Sequence, residues 1–443
     1  MAFTITAQDF MPAAINEYLG GNRMKARIKV NEADFRVEEH TRNENFQCTI
    51  APVSDLPKGF VMPATSDARY IAVTLVKRRM TTFDANYQIA KMLGITPRQI
   101  TYGGLKDRYA VTAQRIVVEG VTFDKVARAC KPHQLANGMD FFIKDPVVVA
   151  GPLFKGGLVG NRFTIKVSIP GLCASQIEEY VTPYLAQLAK HNNLIPNAYG
   201  RQRMGRRQNL HQVGYTLLSQ GSEAAIQQFL LETSPQESEF VTSIRYKLAK
   251  CWNEAQAAAN EAGKTVADFA WPYFEDMRNI LEPVASKLNL PLELQIVKNT
   301  LKYRNFDHVV EHMYDEFSLW VGAYQSALFN QGLLALIKAN PVPTYDGRGR
   351  LPGVPLFVNN NQDRNFYRYH RIEAIPDAID AAMALIFLNS QRKEKKTYWR
   401  QAFIEVENFS HDAVDGALNV SFKLRSGAYA TTLLGLIFDI DED

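Results

Sequence analysis

A chain of 443 residues exceeds what one hydrophobic core sustains, since cores stop growing at roughly 250–300 residues, so two or three domains are expected. With 46% hydrophobic and 22% charged residues the composition is globular, and 50 Lys and Arg against 46 Asp and Glu leave a net charge of +4 that by itself demands no polyanion. The scattered Cys48, Cys130, Cys173 and Cys251 offer neither a zinc knuckle nor a disulfide framework; with no leader-like N-terminus and no run near the roughly 18 apolar residues of a membrane span, a soluble cytoplasmic protein is expected.

In chain order, RYIAVTLVK (Arg69 to Lys77) predicts a buried strand, followed by a helix from Thr82, as its cap, to Leu93, where Gly94 stops it. Thr96 and Pro97 read as a cap and first helical position. They deliver the chain into ITYGGLKDRYAVTAQRIVVEG, a loop entering a strand. GNRFTIKVSIPG is the clearest strand, with Asn161, Phe163, Ile165, Val167 and Ile169 on one face and Arg162, Thr164, Lys166 and Ser168 on the other. Ser175 and Glu178 have the spacing of a capping box ahead of the helix IEEYVTPYLAQLAKH. From about 215 to 317, Ala, Gln, Leu and Glu at helical spacing predict a mainly helical insertion. The helical run FSLWVGAYQSALFNQGLLALI follows, and ALNVSFKLRSGAYATTLLGLIF restores a strand pattern near the end.

Within GGLKDRYAVTAQ two glycines permit a tight turn that presents Asp107 between Lys106 and Arg108. A carboxylate in such a setting suits a nucleophile or base, although periodicity alone favours a solvated charge triplet on a turn. If the segment is extended, Lys106 and Arg108 point away from Asp107, whose same-face neighbours are Leu105 and Tyr109, and an ion pair to Asp107 must come from elsewhere. NAYGRQRMGRRQ gathers Arg201, Arg203, Arg206 and Arg207 beside Gly200 and Gly205, either a phosphate-binding patch or a basic, solvated helix start. Lys77, Arg78 and Arg79 carry the same ambiguity. Phe163 and Tyr429 are either base-stacking or core aromatics. HVVEH, with His308, Glu311 and His312, fits a short zinc-hydrolase pattern, against which stands the ordinary reading of helix-surface histidines. Gly263, Lys264 and Thr265 lack the earlier glycine of a phosphate loop.

Five segments together resemble the TruD family of tRNA pseudouridine synthases: RIKVNEADFRVEE, YGGLKDRYAVTAQ, GNRFTIKV, NAYGRQRMG and FKLRSGAYATTLL, with AYQSALFNQ in support. The resemblance implies Asp107 as the catalytic residue, Phe35, Asn161, Phe163 and Tyr429 lining a uridine pocket, and Lys29 and Lys106 as basic neighbours. It carries Gln202 and Arg203 over as substrate contacts, while Ala198, Tyr199 and Met204 depart from the family's N-Y-F-G-x-Q-R-F-G. It also implies an α+β fold. A catalytic domain with a mixed, largely antiparallel sheet would take residues 1–196 and 396–443, and an inserted α/β TRUD domain residues 197–395, its helical extension at about 215–317. RNA, most directly a tRNA at uridine thirteen, would lie in the cleft between these domains. The expected enzyme is a monomeric isomerase with no cofactor and no metal, which extrudes a uridine, breaks its glycosidic bond and rejoins the base through carbon. The competing expectations are a non-catalytic RNA-binding or RNA-folding protein and, through HVVEH, a zinc hydrolase.

Overall fold

The computed structural model describes residues 11–41, 47–52, 69–135, 138–154, 158–340, 342–344, 351–355 and 399–441. The expected return of the chain near Lys396 and the first ten residues of the N-terminal segment fall outside these. The chain forms two compact units, one of 16–197 with 403–443 and the other of 198–402 together with the described residues before Asn16.

The strands in chain order are β1 (Met24–Arg27), β2 (Phe35–His40), β3 (Tyr70–Arg78), β4 (Ile100–Tyr102), β5 (Val111–Glu119), β6 (Asp140–Val149), β7 (Gly160–Ser168), β8 (Leu194–Pro196), β9 (Gly353–Pro355), β10 (Trp399–Gln401), β11 (Phe403–Glu405), β12 (Glu407–Val414), β13 (Ala417–Arg425) and β14 (Phe438–Asp441). In the first unit a ten-stranded sheet runs β12-β13-β7-β2-β5-β3-β6, with β1 joined to β7 and β14, and β4 to β5. Only β2–β5 and β1–β14 pair in parallel among the described strands, so the sheet is mixed and largely antiparallel, and with its helices the fold is α+β.

β3 lies between β5 and β6, and every residue from Ile71 to Lys77 is buried, the continuous run expected of a strand covered on both faces. The helix Thr82–Leu93 packs Ala85, Ile89 and Leu93 onto Ile71, Val73, Leu75, Ile116 and Val118. Its cap is Thr81 rather than Thr82: the Thr81 hydroxyl accepts from the Asp84 amide at 3.0 Å, and Gly94 ends the helix at φ 64°. β7 alternates as its sequence predicts, with Phe163, Ile165 and Val167 buried and Arg162, Thr164 and Lys166 exposed.

Two local expectations are corrected. The helix Ala174–Lys190 is capped by Cys173, whose amide donates to Gln176 Oε1 at 3.0 Å, while Glu178 faces His411. The strand pattern near the C-terminus ends at Arg425. After a turn with Gly427 at φ 84°, residues Ala430–Ile437 form a helix that buries Ala430, Leu433, Leu434 and Ile437 at helical spacing. A short apolar run of this kind satisfies either element, and the turn decides it.

The second unit is helical from Leu210 through Ala339, wider than the 215–317 of the sequence pattern, with β9 and β10 as an antiparallel pair. The helix Tyr314–Ala339 is buried around most of its circumference between Phe317 and Leu333. Gly214 lets the helix Leu210–Gln220 approach it, since a Cβ there would lie 2.1 Å from the Trp320 carbonyl oxygen. No described helix is long and apolar enough to cross a membrane.

Candidate active site

Residues 103–110 connect β4 to β5 as an irregular loop, not an extended strand, and each part of that loop is fixed from behind. Gly103 packs so closely on Leu158 that a Cβ would lie 2.7 Å from its side chain. Gln114 donates from Nε2 to the Gly104 carbonyl at 3.2 Å. Thr82, released from capping, donates its hydroxyl to Gln114 Oε1 at 3.0 Å and accepts the Lys106 amide at 3.2 Å. Lys77, fully buried at the end of β3, donates from Nζ to the carbonyls of Met80 at 2.9 Å, Asp107 at 2.7 Å and Lys106 at 3.4 Å. Burial pushes the Lys77 ammonium down to about 8, against the pull of the nearby Asp107 carboxylate.

On this support Asp107 holds its carboxylate half-exposed. Lys29 Nζ donates to Oδ2 at 3.0 Å, while Oδ1 has no hydrogen-bond partner among the described residues. Lys29 adopts a left-handed φ of 58° and lies over the Phe35 ring, 4.5 Å from its centroid. Lys106 does not neutralise its neighbour. Its Nζ donates to Asn161 Oδ1 at 2.8 Å and pairs with Glu39 Oε2 at 3.0 Å. Glu39 has no exposed surface; burial pushes its carboxyl above the ordinary range, and Lys106 pulls it back. Strand register makes this cluster, because Glu39 of β2 and Leu424 of β13 flank Asn161 of β7 directly.

Phe163 stands two residues along the same face of β7, between Val37 and Phe422. Its ring meets Phe35 edge-on at 6.2 Å and stacks on Phe422 at 5.5 Å. Phe35 and Phe163 are both buried. Tyr429, half-buried, precedes the helix Ala430–Ile437, four residues after β13 ends. Contacts therefore run from Asp107 through Lys29 and Phe35 to Phe163, and from the adjacent Lys106 to Asn161. A cavity of 770 Å³ at the ends of β2, β7 and β13 has Asn161, His40 and Lys423 in its wall. Burial and the charges of Lys423 and Arg162 push the His40 imidazolium down to about 4.

Sequence reading missed Lys77, Thr82, Glu39 and Phe422 as members of this arrangement. For Glu39 a signal existed, since Phe35, Val37 and Glu39 alternate on one face of β2. For Lys77 and Thr82 none did, because their partners lie on the far side of a loop.

Gln202 and Arg203 belong to the second unit, on a short turn from Arg201 to Met204. Gln202 is exposed; Arg203 donates to Ser326 Oγ at 3.2 Å and packs against Gly322. The uniform phosphate-binding reading of the arginines needs correction at Arg207. It is buried and donates to the Phe229 and Glu232 carbonyls at 2.8 and 3.0 Å. The positions that depart from the family pattern, Ala198, Tyr199 and Met204, are all buried, and Asn330 of the AYQSALFNQ segment brackets Tyr199 through both its amide and its carbonyl. They are packing positions. In HVVEH, Val309 and Val310 face the core while His308, Glu311 and His312 are exposed, and no group of three potential metal ligands exists among the described residues.

The family model described as tRNA pseudouridine synthase D (TruD) matches residues 15–345. A probable tRNA pseudouridine synthase D 1 of Methanocaldococcus jannaschii is 29% identical over 48% of this chain and 51% of its own length. The chain thus spans about half of that relative. It aligns with 98% of a probable tRNA pseudouridine synthase D of Methanococcus aeolicus, at 23% identity over 96% of this chain. A solved structure of a tRNA pseudouridine synthase D candidate from Methanosarcina mazei shares the fold, with a TM-score of 0.63 and 16% identity over 95% of both chains. The chain belongs to the TruD family of tRNA pseudouridine synthases.

Proposed function

We propose that this protein isomerises a uridine in RNA to pseudouridine, with Asp107 as the group that acts on the ribose. The substrate class follows the relatives, which are named for tRNA, and uridine thirteen follows the family pattern. One observation carries the assignment of Asp107: its Oδ2 is held by Lys29 and its Oδ1 is open, on a loop fixed by Lys77, Thr82 and Gln114. A preset carboxylate with one unengaged oxygen is what either form of the reaction needs, attack on the anomeric carbon or removal of the adjacent ribose proton. In both, the bond from C1′ to N1 breaks, the detached uracil turns, a bond from C1′ to C5 forms, and the C5 proton leaves to water as N1 gains one.

The remaining residues have positioning roles. Phe35 and Phe163 supply the apolar wall that retains the free base, Asn161 offers its amide to the nucleotide, and Lys106 orients Asn161 through the 2.8 Å contact. Gln202 and Arg203 contact RNA from the second unit, and Tyr429 closes the base pocket. The test is release of tritium from carbon five of labelled uridines in tRNA transcripts. Wild type releases it, and Asp107→Asn lowers the rate by roughly three orders of magnitude or more while still binding the transcript. Release that survives in Asp107→Asn overturns the assignment.

A further inference from the structure

Large apolar side chains crowd the surface beside Asp107. Phe83, Tyr87 and Leu105 are each 60% exposed and Tyr109 41%. A helix covering a sheet ordinarily turns polar residues outward, yet Phe83 and Tyr87 stand one turn apart on the solvent face of Thr82–Leu93, with Lys91 a further turn along. The start of this helix lies against the loop. The Thr82 hydroxyl meets the Lys106 amide at 3.2 Å, and Phe83 rests edge-to-face on Tyr102, the last residue of β4, at 6.2 Å. Leu105 and Tyr109 are two residues to either side of Asp107, and the exposed Arg79 and Arg108 add cations, with Arg108 drawn to Asp84.

We infer that Phe83 and Tyr87 are a stacking platform for the bases that flank the uridine entering at Asp107, with Leu105 marking where the platform meets the site. The inference rests on the reading of Asp107 as catalytic. Extruding a nucleotide breaks two stacks and leaves both neighbours with a bare face. Flat rings interleaved with Arg and Lys satisfy that demand without regard to base identity, and the cations suit the phosphates between the bases. Leu105 is two residues from Asp107 in the loop, and the start of the Phe83 helix is bonded to Lys106, so this face is within reach of the bases beside a ribose held at Asp107.

The experiment compares wild type with Phe83→Ala/Tyr87→Ala on short synthetic RNA hairpins containing the labelled uridine, with and without abasic nucleotides on its two sides. The double variant raises KM roughly tenfold, with kcat far less affected. Abasic flanks raise the wild-type KM similarly and leave the double variant indifferent. Phe83→Trp keeps the wild-type KM, and RNA quenches its fluorescence. An unchanged KM in the double variant, or abasic and mutational effects that multiply, overturns the platform and indicates another occupant for this face, such as a protein. If wild type releases no tritium at all, it is the catalytic reading that fails, and quenching of Phe83→Trp by the same RNA still decides the platform.

Discussion

Two basic clusters that look alike in sequence, Lys77-Arg78-Arg79 and Arg201 to Arg207, use their charge in the same unexpected way but to different ends. In each, the most buried cation is spent on main-chain carbonyls: Lys77 on Met80 and Asp107, Arg207 on Phe229 and Glu232. Arg207 closes the last turn of the helix Ser222–Leu231 and lies over the Phe229 ring at 4.6 Å, a purely structural task. Lys77 pins the backbone of Asp107, whose Oδ1 stays unengaged while Lys29 holds Oδ2. A buried donor of the same kind thus builds a helix end in one unit and fixes the Asp107 loop in the other, and cation density in sequence reports neither.

The sharpest way to break this comparison is Lys77→Met. A near-isosteric apolar side chain removes the cost of burying an ammonium, which offsets the loss of its bonds to three carbonyls, so stability should move little. Loss of the pin should displace Asp107 and lower kcat about 100-fold. The pH dependence is opposite to that of an ordinary ion pair. The folded state holds the Lys77 proton only to about 8, below the usual 10.5 of the unfolded chain, so between these values the unfolded chain binds it more firmly and stability rises with pH. The rise amounts to roughly 3 kcal/mol over that window and should be missing in Lys77→Met, as read by denaturant unfolding across a pH series.

Arg207→Met should do the reverse, costing about 2–3 kcal/mol in denaturant unfolding because it loses the ion pair to Glu237 and the Phe229 ring contact as well as orphaning carbonyls, while leaving the salt dependence of RNA binding unchanged. Lys29→Met has a smaller effect. Its pair with Asp107 is partly exposed, so stability barely changes, but the carboxylate loses its anchor and kcat should fall about tenfold. A variant as active as wild type would show that the loop alone presents Asp107.

Much of the frame was legible because its periodicity is clean. β7 shows the faces read from alternation, and the helix Thr82–Leu93 ends at Gly94 as its composition demands. The failures share a cause, since each depended on a partner distant in sequence. Between two adjacent threonines, Thr81 caps because Thr82 is claimed by Gln114, 32 residues on. Asp107 was expected to need a cation other than Lys106 and Arg108 on the premise of an extended segment. The premise fails in the irregular loop, but the cation is indeed elsewhere, at Lys29, 78 residues earlier. Local pattern identified which residues are unusual, and strand register decided which of them meet.

The mildest prediction tests what is left of the basic segment once its buried member is set aside. Arg201 and Arg206 are exposed, and among the described residues neither guanidinium is hydrogen-bonded as that of Arg207 is; such forks bind phosphate through paired donors. If Arg206 contacts one phosphate, Arg206→Ala should leave unfolding unchanged and reduce the slope of log affinity against log salt by about 0.7 to 0.9. The loss should be uniform across RNA sequences, because a phosphate contact carries no base information. An unchanged slope for Arg206→Ala and Arg201→Ala alike would make this segment structural throughout, and would leave the exposed Arg79 and Arg108, beside the Asp107 loop, as the cations that meet the backbone.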